Sequence, residues 1–139
     1  MLEKHTILYA EDDQDDVYMV KKAFEAHDHI QVMHADNGSE ALQMLNGMLQ
    51  NNIKPCLVIL DINMPVMSGK EALLKMKENR EFDEIPVILF STSSSKIDQE
   101  FAAQWGVELF TKPLNYSDLE TIIREFVGKC NFEINKLKN

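Results

Sequence analysis

A chain of 139 residues, 45% hydrophobic and 27% charged, has the apolar material for one packed core and too little length for two, since a domain takes roughly 100–200 residues. Its 14 Lys and Arg against 23 Asp and Glu leave a net charge of −9, which argues against direct binding to nucleic acid, where a basic surface must release counterions from phosphates. No apolar stretch approaches the roughly 20 residues of a membrane-spanning helix, and the run Ile7 to Ala10 is too short for a signal-peptide core, so a cytoplasmic location is expected.

Short apolar runs then alternate with helix-periodic segments, the pattern of βαβ units around a parallel sheet. A first strand over Thr6 to Ala10 precedes a helix with Val17, Val20 and Phe24 on one face and Asp15 and Asp16 as its expected caps. A second strand, Ile30 to His34, passes through the turn signal Asp36-Asn37-Gly38 into a helix with Leu42, Leu45 and Leu49 on one side. The wholly apolar Leu57-Val58-Ile59-Leu60 reads as a central strand covered on both faces, ending at Asp61. The turn from Asn63 to Gly69 leads into a helix with Ala72, Leu73 and Met76, which breaks before Pro86. Val87 to Phe90 forms the fourth strand, and the hydroxyl-rich Ser91 to Ser95 can cap the fourth helix, on which Phe101 and Trp105 stand four apart. Val107 to Phe110 is the fifth strand. The last helix aligns Leu119, Ile122, Ile123, Phe126 and Val127, with Ser117-x-x-Glu120 as its capping box and Gly128 as its stop.

The expected organisation is one domain over residues 1–130 and a tail over 131–139, leaving no room for an effector domain. Cys56 and Cys130 belong to no Cys-x-x-Cys pattern, so neither a disulfide framework nor a zinc site is implied, and both read as packed thiols.

In a right-handed parallel α/β sheet, ligands bind outside the carboxyl ends of the strands. Polar residues collect at those ends: Glu11-Asp12-Asp13, Asp61, Ser91-Thr92 and Lys112. Like charges a few ångströms apart repel by several kcal/mol at an effective dielectric of about 20. A divalent cation resolves that conflict, and oxygen donors without His or Cys favour Mg²⁺, which keeps water positions open to a phosphate. Lys112 then offers a point charge to one phosphoryl oxygen and Ser91 a hydroxyl to another. With an ordinary carboxylate pKa of about 3.9, Asp61 is expected to be ionised at neutral pH and to act as a nucleophile without a general base. Taken alone, the acid run 11–13 reads as a helix-capping, solvated segment, and Asp13 fits capping and support of the metal equally.

At these positions the chain resembles the receiver domains of two-component response regulators, including the stand-alone chemotaxis type. The matching pieces are Ile7 to Asp13, Val58 to Gly69, Ile85 to Ser91, and Lys112-Pro113, and the resemblance spans Thr6 to Val127. Within the family, the chain looks most like small regulators of the phytochrome-associated kind. The resemblance implies a flavodoxin-like α/β fold of three layers, helices on both faces of a five-stranded parallel sheet in the order 2-1-3-4-5. It implies a phosphoryl group accepted on Asp61 from a histidine kinase or histidine phosphotransfer domain. Mg²⁺ would be held by Glu11, Asp12, Asp61 and the backbone carbonyl of Asn63, with Ser91 and Lys112 on the phosphoryl oxygens. Asn63 and Ser93 would tune hydrolysis. The face made by helix four, strand five and helix five would recruit a downstream protein or a second copy of the chain. Two departures stand out: Leu109 occupies the switch position where the family carries Tyr or Phe, and Ser68 stands where it often carries Asp.

Two other readings use the same residues. An aspartyl-phosphate phosphohydrolase would need an acid/base two residues after the nucleophile, where this chain has Asn63. A phosphate sink or receiver-shaped scaffold would carry the site without a switch, as Leu109 allows.

Overall fold

The computed structural model describes residues 4–92 and 95–136. Five strands, β1 (His5–Ala10), β2 (Ile30–Ala35), β3 (Leu57–Leu60), β4 (Val87–Ser91) and β5 (Glu108–Thr111), form one sheet in the order β2-β1-β3-β4-β5, every pairing parallel. Five helices connect and flank them: α1 (Gln14–Phe24), α2 (Gly38–Gln50), α3 (Gly69–Lys77), α4 (Lys96–Trp105) and α5 (Tyr116–Val127). A 3-10 turn, Arg80–Phe82, carries the chain from α3 toward β4. This is the expected flavodoxin-like, three-layer arrangement.

Alternation along the strands sorts the core into two halves, because successive side chains leave opposite faces of a sheet. Ile7, Tyr9, Leu57, Ile59, Ile88 and Phe90 meet α1 and α5. Leu8, Ala10, Val58, Leu60 and Leu89 meet α2, α3 and α4. The four residues of β3 are fully buried, as a central strand covered on both faces requires. β5, at the sheet edge, alternates less cleanly and places Leu109 against the α4 side and Phe110 against Phe126, ring centroids 5.0 Å apart.

Several helix starts differ from expectation. Asp13, not Asp15 or Asp16, caps α1: its carboxylate accepts from the amides of Asp15 and Asp16. A cap must sit outside the first turn, and Asp15 and Asp16 lie within it, where they complement the helix dipole. At α5 the cap is Asn115, whose side chain accepts from Asp118 N at 2.8 Å and donates back to the Asp118 carboxylate at 2.9 Å. The reciprocal pair is thus Asn115 with Asp118, and Ser117 to Glu120 falls inside the helix. Ser95 caps α4 as anticipated, and Ser68 caps α3. On α2 the most buried positions are Ala41, Leu45 and Met48, with Leu42 and Leu49 flanking the core.

The described part of the C-terminal segment packs back onto the amino ends of the strands. Asn131 N donates to Cys56 O at 2.9 Å, and Asn135 exchanges two 2.8 Å hydrogen bonds with the backbone of Lys54. Ile134 is buried in the α2 and α3 half of the core, and Phe132 packs edge-on against His5.

Candidate functional site

The sheet order reverses between β1 and β3, so the loops leaving their carboxyl ends diverge and open a crevice at that edge. β1 delivers Glu11 and Asp12 into it, and β3 delivers Asp61. Registry holds them together, since Asp61 N donates to Ala10 O at 3.0 Å and Glu11 N donates to Ala35 O at 3.0 Å. One carboxylate oxygen from each of Glu11, Asp12 and Asp61 lies within 4.8 Å of the others. Glu11 and Asp61 are buried, while Asp12 is exposed at the mouth. Three acidic oxygens converging from two strands form a hard-ion donor set.

Lys112 reaches in from the end of β5. Its ammonium donates to Glu11 Oε1, donates to Asp16 Oδ2 at 2.8 Å, and stands 3.6 Å from Asp61 Oδ1. Burial alone would lower the Lys112 pKa, but the hydrogen bonds to Asp16 and Glu11 and the charges of Asp61 and Glu11 outweigh it and hold the ammonium above its ordinary value. Glu11 is further fixed by the Tyr9 hydroxyl at 3.2 Å and the Asp13 amide at 3.3 Å. Burial first, then the charge of Glu11, drives the Tyr9 pKa upward, so its hydroxyl remains a donor. His34 Nε2 donates to the Glu11 carbonyl at 2.7 Å, securing the same bend from the β2 side.

Asp61 departs from expectation. Burial, followed by the negative charge of Glu11, raises its pKa from the ordinary 3.8 to about 7 against the opposing pull of Lys112. With protein groups alone Asp61 is thus not fully ionised at neutral pH, because a buried carboxylate facing another lacks enough compensating charge. The sign for stability follows. Between pH 3.8 and about 7 the folded protein keeps a proton that the unfolded chain has released, so stability falls as pH rises through that window. In chelator, Asp61→Asn should therefore gain about 2 kcal/mol at pH 8 and almost nothing at pH 4. Thermal melts across pH test this, and a variant no more stable than wild type at pH 8 would refute it.

Ser91 ends β4 fully buried, and its Oγ has no hydrogen-bond partner among the described residues. A buried hydroxyl without a partner costs about 1–3 kcal/mol, a penalty that a phosphoryl oxygen would remove. Asn63 is exposed in the loop after Asp61, Leu109 is half-buried against the same half of the core as Phe101 and Trp105 of α4, and Ser93 lies outside the described residues. Phe110 cannot stand in for Leu109, because neighbouring strand positions face opposite layers.

The residues that sequence reasoning missed are Asp16 and Tyr9. Asp16 sits four residues after Asp12, one helical turn along, on the side of α1 turned toward β5. That spacing was the available signal, but an acid in a first turn is ordinarily explained by the helix dipole.

The loop between Asp61 and α3 is shaped by close contacts. Gly69 N donates to Ile62 O at 3.0 Å, and a Cβ at Gly69 would stand 2.1 Å from Asp61 O. Val66 holds φ 66°, a left-handed conformation in which a β-branched residue is strained. Its side chain is exposed, so Val66→Asn should gain about 1 kcal/mol by relieving that strain without losing packing. Chemical denaturation checks the gain, and an unchanged midpoint would show that the loop carries no strain there.

Residues 7–124 match the response regulator receiver domain family. The chain belongs to that family. It is 30% identical over 119 residues to Protein PilH of Pseudomonas aeruginosa, covering 85% of this chain and 91% of PilH. Among solved structures, the phosphorylated cyanobacterial phytochrome response regulator RcpA superposes with a TM-score of 0.79 at 28% identity, covering 88% of this chain and 90% of RcpA. The Mn²⁺-bound form of response regulator Rcp1 gives 0.78 at 25% identity, covering 96% and 97%. The fold is that of chemotaxis-type receivers, and the protein is a receiver domain of two-component signalling. Among the described residues no helix of this receiver domain is long and apolar enough to cross a membrane.

Proposed function

We propose that this receiver domain takes a phosphoryl group onto Asp61 from a phosphohistidine on a histidine kinase or histidine phosphotransfer domain. The observation that carries the reading is the convergence of Asp61 with Glu11 and Asp12 on one side and the Lys112 ammonium, 3.6 Å away, on the other. The acidic oxygens fit Mg²⁺, held by Glu11, Asp12, Asp61 and the backbone carbonyl of Asn63. When bound, Mg²⁺ supplies the positive charge that keeps Asp61 ionised and lets it approach an anionic phosphoryl group. An Asp61 carboxylate oxygen attacks phosphorus as the bond from phosphorus to the donor imidazole nitrogen breaks. Lys112 and Ser91 donate to the phosphoryl oxygens, which occupies the free Ser91 hydroxyl.

Hydrolysis of the acyl phosphate reverses the state. Asn63 carries an amide where an aspartyl phosphohydrolase would need a carboxyl, so it cannot relay a proton, and self-dephosphorylation rather than multiple turnover is the expected chemistry. Asn63 and Ser93 tune that rate. Signal passes to the face formed by α4, β5 and α5, where a downstream protein or a second copy docks. The ion pair between Lys70 of α3 and Asp98 of α4, 2.5 Å, ties the loop following Asp61 to that face. Leu109 lacks a hydroxyl or aromatic edge, so the switch runs through Ser91 and the α4 contacts. The acidic surface speaks for protein partners rather than nucleic acid, in the cytoplasm where such kinases present their phosphohistidine.

Incubation with acetyl phosphate and Mg²⁺, followed by intact mass measurement, tests the reading. One phosphoryl group should add to wild type, none in excess EDTA, and none to Asp61→Ala. Modification that ignores Mg²⁺ or survives Asp61→Ala would sink it, and sustained release of phosphate over many turnovers would favour the phosphohydrolase.

A further inference from the structure

At the end of the sheet away from the carboxylates, two cysteines that are 74 residues apart in sequence touch: the Cys56 and Cys130 sulfurs stand 2.7 Å apart. Cys56 is buried immediately before β3, and Cys130 is half-buried just after α5. Their backbones are already joined, since Asn131 N donates to Cys56 O, and Asn135 clasps Lys54 from the same segment. The approach is thus built into how the C-terminal segment docks and does not depend on a mobile side chain.

We propose that Cys56 and Cys130 form a site of reversible oxidation, closing an intramolecular disulfide that staples the C-terminal segment to the base of β3. A two-electron oxidant such as hydrogen peroxide suffices. The more accessible Cys130 sulfur attacks one peroxide oxygen and becomes a sulfenic acid as hydroxide leaves. Cys56 then attacks that sulfur, the S–S bond forms, and water departs. Two thiols and one peroxide give one disulfide and two waters, with both electrons taken from sulfur. Contact with Cys56, then burial, holds the Cys130 thiol well above its ordinary range, so the thiolate is scarce and the first step is slow. The second step is fast because the partner is already in contact. In a reducing cytoplasm the pair rests as thiols and closes only under sustained oxidation. Cross-linking a loop this long removes much of the unfolded chain's freedom, and the bond lies at the opposite end of the sheet from Asp61.

The test uses the full chain treated with hydrogen peroxide and then freed of it. Expected are a 2 Da mass loss that is small against the chain yet resolvable at the peptide level, disappearance of both titratable thiols, and a peptide linking Cys56 to Cys130. The melting temperature should rise by about 10 °C and return on adding dithiothreitol. Cys130→Ser, a change at a half-buried position, should abolish both the linkage and the peroxide-dependent rise. Thiols that stay titratable, oxidation to sulfinic acid, dimers linked between chains, or a linked peptide without thermal gain would each overturn the proposal. None of these readouts depends on phosphorylation of Asp61.

Discussion

Lys112→Met should slow modification by acetyl phosphate about 100-fold and destabilise the protein in EDTA by about 3 kcal/mol. Methionine keeps the length of the stem while deleting the ammonium that pairs with Glu11, Asp16 and Asp61 together. Glu11 and Asp61 are almost wholly out of solvent, so above the Asp61 pKa of about 7 removing their cation leaves buried carboxylates without a compensating charge. The stability loss should shrink at pH 5, where protons replace the missing charge, and shrink again with millimolar Mg²⁺ at pH 8. The rate loss should persist in saturating Mg²⁺, because in the proposed reaction Lys112 itself would donate to a phosphoryl oxygen. Asp16→Asn is the useful contrast. Its side chain is 37% exposed and its ion pair with Lys112 is screened, so its cost in stability should stay below about 1 kcal/mol. Equal rates for wild type and Lys112→Met would remove the lysine from the chemistry.

Gly69→Ala carries the other large effect, a loss of about 3 kcal/mol together with at least a tenfold weaker response to the phosphodonor. The added methyl would lie 2.1 Å from Asp61 O and 2.9 Å from Asp61 C, both backbone atoms that no side-chain rotation can move aside. Relief requires the α3 terminus or the Asp61 peptide to shift, which displaces the Asp61 carboxylate relative to Lys112. Gly47→Ala is the control: its Cβ would meet nothing within 4 Å, and it sits inside α2, so alanine should add about 0.5–1 kcal/mol. Urea midpoints for the two variants should move in opposite directions. Opening the site without unfolding would show as a lost phosphodonor response at temperatures where Gly69→Ala remains folded.

Much of this was legible before any coordinates. The alternation of apolar runs with helix-periodic segments reports which surfaces must be hidden, and a parallel sheet follows because runs such as Leu57 to Leu60 offer no polar side to solvent. Asp61, Glu11, Asp12 and Lys112 were legible for a related reason: charged residues that end buried strands have one place to go, the carboxyl edge of the sheet. Helix starts were less so. At α1 and α5 several neighbouring residues can each cap, and the choice falls to whichever lies outside the first turn once the preceding strand has set the entry of the chain.

The order of residues by itself determined the strands, the helices and the gathering of Glu11, Asp12, Asp61 and Lys112 at the carboxyl edge of the sheet, since these depend on local periodicity and on where apolar runs stop. Tertiary structure alone decided what depends on distance between remote segments. It brought Asp16 and Tyr9 to Lys112 and Glu11, left the Ser91 hydroxyl buried without a partner among the described residues, raised Asp61 above the ordinary carboxylate range, and laid Cys130 against Cys56. Charge interaction and desolvation vary with separation and burial, and neither quantity exists until the chain has closed on itself.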